Sequence, residues 1–454
     1  MFNFMSTQLL CGLLVCAGWV HAVEPAITFV TRGGPAVSMS PKATGDREIR
    51  YGVGLPVQIG ADKAALFCNR RVVGSNRWDY EDGSDVFVFD DLKNINAGDP
   101  VPIARNEKEK DKITGEQRFI VKYTAKVGFW PLAAKRADGT PHPGAGKGFA
   151  FCLALSFVGT GEELLPAMYS PSQRKHYVET MQLEFNGNVI AVTQRKLIRK
   201  STKWFTLNGW SISAPGLQAA AIPDGDDLLL AVTASRGKGR RTGVGRFRFS
   251  EEQWIPYSFT PVADGSEPSI ARRADGSFVF TTRSTKKSRA NSIELWTSKD
   301  AEGTWSQHML VTNIRNASPV SVNATVDGRI FVLGNYPALN CLHGKVPWKA
   351  TLRSQLALWQ LAEGKAEFNP PKAGLVRDAV AEFGTLDKKH RWFIDQPVAS
   401  TIQLADGLWH TLVAYRVMAF WYKARDGELI TPHTGCYVEE LSALQPARPP
   451  WNFD

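Results

Sequence analysis

The sequence lacks most of what marks the common enzyme architectures. Its longest uninterrupted apolar run, Leu9 to Val20, falls short of the roughly 20 residues that span a bilayer, so no membrane span is expected. No long stretch repeats apolar residues at helical spacing, which argues against an α/β hydrolase or a TIM barrel. Cysteine is scarce: beyond position 22 only Cys68, Cys152, Cys341 and Cys436 remain. They are too far apart for a zinc ribbon or a dense disulfide scaffold, and buried thiols, with at most one or two bridges, are expected. Clustered His and carboxylate ligands are missing, so no metal and no cofactor is expected. The glycine-rich stretch Lys135 to Phe149 has neither phosphate-loop spacing nor a strand feeding it into a helix.

What is present begins with residues 1–22, which carry no charged side chain and end Val20-His21-Ala22. This reads as an export signal cut before Val23, although the usual basic n-region is missing. A secreted or periplasmic location follows, with residues 23–454 as one domain. The formal net charge of +10 favours an anionic partner. Because the basic residues are scattered rather than interleaved with stacking aromatics, acidic glycans or lipopolysaccharide are expected and nucleic acid is not.

The stretch Ser266 to Ser284 organises the rest. Pro268-Ser269-Ile270 leads in, Ala274-Asp275-Gly276-Ser277 turns the chain, and Phe278 to Thr282 runs out to Arg283, the pattern of a β-hairpin. Glu267 and Arg283, sixteen positions apart, are thereby brought to one sheet edge. Sibling hairpins occupy Ala214 to Ser235, Ala317 to Asn335 and Asp395 to Arg416. Their turn aspartates Asp224, Asp275 and Asp327 lie 51 and 52 residues apart, and Asp406 follows after 79. That period suits a four-stranded propeller blade, with an insertion expected between Tyr336 and Trp392.

Elsewhere, Ile27 to Asp91 reads as the first blade, and the charged run Asn94 to Lys126 as an exposed excursion. The loop Gly74 to Gly83 holds Asp79, Glu81 and Asp82 beside Trp78. A carboxyl near such an apolar surface could serve as a general acid. His142, in a turn-rich loop, is a candidate substrate contact or a purely structural residue.

Two segments resemble the sialidase superfamily. Ser298-Lys299-Asp300-Ala301-Glu302-Gly303-Thr304-Trp305 resembles the Asp-box turn S-x-D-x-G-x-T-W, with the glycine displaced by one. Glu267 through Arg283 resembles the family's E…D-G…R segment, in which the glutamate pairs with a tyrosine nucleophile and the arginine is one of three that grip the sugar carboxylate. Arg353 to Trp359 resembles the strand that supplies another of these arginines.

The resemblance implies an all-β, six-bladed β-propeller of four-stranded antiparallel blades. It also implies an exo-acting glycoside hydrolase releasing terminal sialic acid or a related acidic sugar, with sialylated glycans such as mucin-type glycoproteins as partners. By position, Asp79 would be the acid, with Asp82 in reserve. Where the family has R-I-P in its first blade this chain has Gly54-Leu55-Pro56, so the third arginine is sought nearby, at Arg50, Arg70 or Arg71, while Arg416 offers another cation at the rim or a purely structural residue. The segment aligned with the nucleophile, Asp395 to Thr401, has no tyrosine. Asp395 and Gln396 hold the place there that Glu267 holds in its own repeat, and could orient a water for direct displacement. Tyr437 is the alternative nucleophile, and His433 a further candidate to reach the site. A glycan-binding propeller without turnover, and a hydrolase or lyase of another acidic polysaccharide, remain as alternatives.

Overall fold

A computed structural model describes residues 28–444 apart from 33–36, 40–41, 45–46, 73–82, 97, 111–114, 116, 159–174, 199–204, 214–219, 284–291, 312–318, 327, 336–352, 362–371, 388, 422–427 and 430. The chain forms six four-stranded antiparallel sheets arranged as a six-bladed propeller. Among the described residues the only α-helix is Ala379–Phe383, and none is long and apolar enough to cross a membrane.

Blade 4 shows why the repeat folds as it does. Strands Ser266–Arg272 and Phe278–Arg283 are joined where Arg273 N donates to Ser277 O at 2.8 Å. The Asp275 carboxylate accepts from the amide and hydroxyl of Ser277 at 2.9 and 2.6 Å. Gly276 takes φ +83°, open to glycine and strained for other residues. The sibling turns place Gly225, Gly328 and Gly407 in the same left-handed region. In the Asp-box-like turn, Ser298 Oγ donates to Asp300 O at 2.6 Å and Glu302 N donates to Asp300 Oδ1 at 3.0 Å. This delivers Trp305 edge-on to Phe280, with ring centroids 5.8 Å apart.

The ring closes through its first strand. Thr28–Arg32 pairs antiparallel with Gly435–Leu444, Val30 opposite Leu444, and becomes the outer strand of blade 6. The expected first blade is corrected accordingly: blade 1 runs from Lys42–Thr44 to Val101–Arg105.

The charged run Asn94 to Lys126 is also not an excursion. It contains that outer strand of blade 1 and most of Gln117–Phe129, the inner strand of blade 2. Lys122 and Lys126 within it are buried, which a count of charges cannot distinguish from a solvated loop. Between Tyr336 and Trp392 lie the outer strands of blade 5, Gln355–Gln360 and Lys372–Asp378, and the short helix, capped by the Asp378 carboxylate. Cys68, Cys152 and Cys436 are buried free thiols. The export signal and Cys341 lie outside the described residues.

The core is a set of seams between neighbouring sheets. Ile270, Phe278, Phe280 and Trp296 of blade 4 meet Leu229, Ala231 and Val244 of blade 3. Val279, Ile293 and Leu295 pack instead on Val320, Val332 and Trp359 of blade 5. Each sheet is thus apolar on both faces, because both are covered by the next blade. Phe280 is fully buried, so Phe280→Ala is expected to lower stability by about 3–5 kcal/mol, measured by denaturant unfolding.

Candidate functional site

The propeller's inner strands share one irregularity at one end. In blades 1, 4 and 6 the register jumps between Tyr51 and Gly54, between Ser266 and Ser269, and between Asp395 and Val398. Each jump sets three residue steps against two on the partner strand. Blade 2 has a matching bulge at Ala125, since Thr124 and Lys126 face the adjacent Cys152 and Phe151. Glu267 and Gln396 take φ +53° and +50°, and both precede proline. Such backbone costs about 1–3 kcal/mol per residue. Bulges re-aim side chains, and here they gather polar groups from several blades.

Asp395 is the centre of that gathering. Only 2% exposed, it accepts from Arg416 Nη2 at 3.1 Å through Oδ2 and from Arg353 Nη1 at 3.4 Å through Oδ1. The Gln396 amide donates to Oδ1 at 2.9 Å. Burial pushes the Asp395 carboxyl up, but the charges of Arg353, Arg416 and Arg283 outweigh it and hold the group below its usual range. Arg283 Nη1 itself donates to Glu267 Oε2 at 2.9 Å. Guanidiniums from blades 4, 5 and 6 therefore surround one carboxylate. The Arg283 side chain is 33% exposed, Arg353 20% and Arg416 4%, so Arg283 is the one an incoming ligand meets first.

The third arginine comes from blade 6 for a steric reason. A Cβ on Gly54, the position aligned with the R-I-P arginine, would lie 2.8 Å from Cys436 Sγ and 3.0 Å from Leu66 Cδ1. Blade 1 passes too close to blade 6 to carry a side chain there. Arg416 instead crosses the seam, its Cδ 3.8 Å from where a Cβ on Gly52 would stand. The arginines of blade 1 are used elsewhere. Arg50 donates to the carbonyls of Thr431 and Thr434. Arg70 lies 3.9 Å from Asp85, which also holds Arg105 at 2.5 Å and Tyr51 at 3.1 Å. Arg71 is described by its backbone alone, and Asp79 and Asp82 lie outside the described residues.

Tyr437 projects from the opposite face of its sheet to Arg416. It stacks on Tyr415, centroids 5.9 Å apart, with the Arg377 guanidinium 4.5 Å from its ring. Its hydroxyl donates to His433 O at 2.9 Å, and burial pushes its pKa up, the opposite of what a nucleophile needs. His433 lies exposed on the loop tied by Arg50, stacked on Phe383 at 4.3 Å.

His142 sits at the other end of blade 2, in the turn joining its first two strands, 3% exposed, stacked on Trp130 with centroids 4.0 Å apart and parallel to Trp254 at 5.9 Å. Its Nδ1 accepts from Gly144 N at 2.9 Å, which leaves Nε2 to donate to Asp226 O at 3.0 Å. Burial lowers its pKa. Both ring nitrogens serve the turn, and the ring does not reach the arginines.

Sequence reasoning missed Lys126 and Gly52. The former could have been found as the last of three cations, after Arg118 and Lys122, in the strand-like run Gln117 to Phe129.

No protein-family model matches this sequence, and no curated protein matches it. Among solved structures, a Dyadobacter fermentans protein of unknown function superposes with TM-score 0.51 at 11% identity, over 91% of this chain and 99% of that one. A Hadza microbial sialidase gives TM-score 0.48 at 13% identity, over 86% of this chain and 65% of that one. Trypanosoma rangeli sialidase gives 0.47 at 14% identity, over 91% and 58%. This chain shares its overall fold with the Dyadobacter fermentans protein. At these identities the likeness is one of fold alone.

Removing the central carboxylate leaves Arg353 and Arg416 facing each other in a buried place. Asp395→Asn is expected to cost about 3–5 kcal/mol near neutral pH. The sign follows from its depressed pKa: the stabilisation is complete above the ordinary carboxylate range and is lost as pH falls through the folded value. Denaturant unfolding at pH 7 and below pH 3 should show the gap between wild type and variant closing in acid.

Proposed function

We propose that the protein is an exported, exo-acting glycoside hydrolase that recognises terminal sialic acid, or a related acidic sugar, on mucin-type glycans. The supporting observation is the gathering of Arg283, Arg353 and Arg416 around one point at one end of the propeller. A guanidinium grips a carboxylate through two parallel hydrogen bonds and keeps its charge at any working pH, so such a cluster orients a sugar acid. Export accords with the uncharged apolar stretch at residues 1–22.

Turnover by this reading needs an acid at the leaving oxygen, assigned to Asp79, and a nucleophile on the other side of the sugar ring. Asp395 stays ionised between its arginines, and by this reading Gln396 beside it orients a water. A second reading, a glycan-binding propeller without turnover, is favoured by two observations: Tyr437 is turned away, and Glu267 and Asp395 are both engaged by arginines.

Incubation with sialylated mucin separates the two. Wild type is expected to release free sialic acid. Arg283→Ala should lower kcat/KM at least about 30-fold, since losing one member of such a pair costs about 2–5 kcal/mol. Glu267→Ala should lower it as well. Capture of sialylated glycan without release would favour the second reading, and failure to bind any sialoside would sink both.

A further inference from the structure

Lys126 is an anomaly that the three arginines do not explain. It stands at the bulge of the inner strand of blade 2, the same irregularity that presents Glu267 and Asp395. The side chain is 0% exposed and its Nζ has no hydrogen-bond partner among the described residues. An isolated buried ammonium is among the most costly groups a fold can hold.

The charged groups on the elements packed around Lys126 are closed into pairs of their own. In blade 1, Asp85 is held by Arg105 and Tyr51. In blade 3, Asp227, which holds Arg246 and Arg248 each at 3.1 Å, lies at the opposite, turn end beside Asp226. On its own strand, Lys122 is held by Glu107 and by Glu179 at 3.2 Å. Glu267 of blade 4 is the charge whose field reaches it. Burial pulls the Lys126 amine down to about 7, with Glu267 opposing.

Glu267 is in turn the less firmly held of the two basin carboxylates. Asp395 has two arginines, whereas Glu267 has one hydrogen bond, to the most exposed arginine of the cluster. A sugar carboxylate arriving at Arg283 competes for that bond. Released from it, Glu267 is a carboxylate only 16% exposed that needs another cation.

Resting on the sugar-acid reading above, we infer that Lys126 is a positioning residue that receives Glu267 when the ligand carboxylate takes Arg283. Lys126 takes up one proton from solvent as it does so, and each ligand carboxylate bound is thereby coupled to one proton bound. The ligand class is a carboxylate-bearing sugar, and the coupling is a property of binding rather than of bond cleavage.

Calorimetric titration of the full chain with N-acetylneuraminic acid and with glucuronic acid tests this, in buffers of differing ionisation enthalpy at pH 6 and pH 8. Wild type should take up nearly one proton per ligand at pH 8 and almost none at pH 6, with Kd rising between them by up to about tenfold per pH unit above 7. Lys126→Met should show no uptake at either pH and bind at least about tenfold more weakly at pH 6. Binding by wild type at pH 8 without uptake overturns the inference and leaves the sugar-acid reading standing, as does full uptake in Lys126→Met. If wild type binds neither sugar acid, both fall.

A second measurement needs no ligand. Because the folded-state pKa of the amine lies below its unfolded value, wild type is penalised at neutral pH, and the penalty fades as pH rises from about 7 toward 10. Lys126→Met should therefore melt at a higher Tm than wild type at pH 7.5, with the gap closing by pH 10. An equal or lower Tm at pH 7.5 would mean that the amine is satisfied in the fold, and would overturn the inference.

Discussion

The site depends on one buried negative charge being answered by positive ones from other sheets. Asp395 sits where burial alone would neutralise it, and it remains ionised because Arg353 of blade 5 and Arg416 of its own blade bond it while Arg283 of blade 4 adds its field. None of these residues is near another in sequence, apart from the hairpin that links Asp395 to Arg416. The cluster therefore exists only when the ring is closed, and the ring closes only when Thr28–Arg32 completes blade 6. Fold and site share one constraint: leaving any of these charges buried without its partner costs several kcal/mol, a sizeable part of a domain's stability.

That constraint also bears on which blade supplies the guanidinium of the seam. A guanidinium is needed at the seam between blades 1 and 6, and either blade could supply it. Here the strand of blade 1 runs so close to Cys436 that only glycine fits at position 54, and Gly52 leaves flat backbone against which Arg416 lies. Glycine at positions 52 and 54 of blade 1 and the arginine on the second strand of blade 6 are thus two sides of one packing arrangement.

Much of the fold was legible in the sequence because its signals are local. The Asp-Gly turns at about 51-residue spacing, the Asp-box-like segment and the alternating apolar runs each act over a few residues, and the sheets formed where they indicated. The pairing of Glu267 with Arg283 was legible for the same reason, since one hairpin sets it.

What could not be read depends on closure in three dimensions. That Thr28 belongs to the last blade, that Lys126 points inward rather than to solvent, and that Tyr437 and Arg416 lie on opposite faces of one sheet are facts about neighbours far away in sequence. His142 shows the same limit. Its turn-rich surroundings suggested a contact loop, whereas two tryptophans, one of them more than a hundred residues away, make it part of a stack.

The two ends of the propeller differ in a way that bears on function. At the turn end, Gln58 donates to the carbonyls of Gly60, Lys63 and Gln403 and accepts from the amide of Gln403, and His142 uses both ring nitrogens, while Trp130 Nε1 is buried without a hydrogen-bond partner among the described residues. At the bulged end the chain holds two non-glycine residues in left-handed backbone before prolines, a buried carboxylate between arginines, and an amine with no partner. The left-handed backbone and the buried amine cost stability, and packing requires neither. A sequence selected for folding alone would have removed them with substitutions as simple as methionine for lysine. Their collection at one end of one axis, contributed by four blades, is what a fold retains when that end must accept a charged ligand.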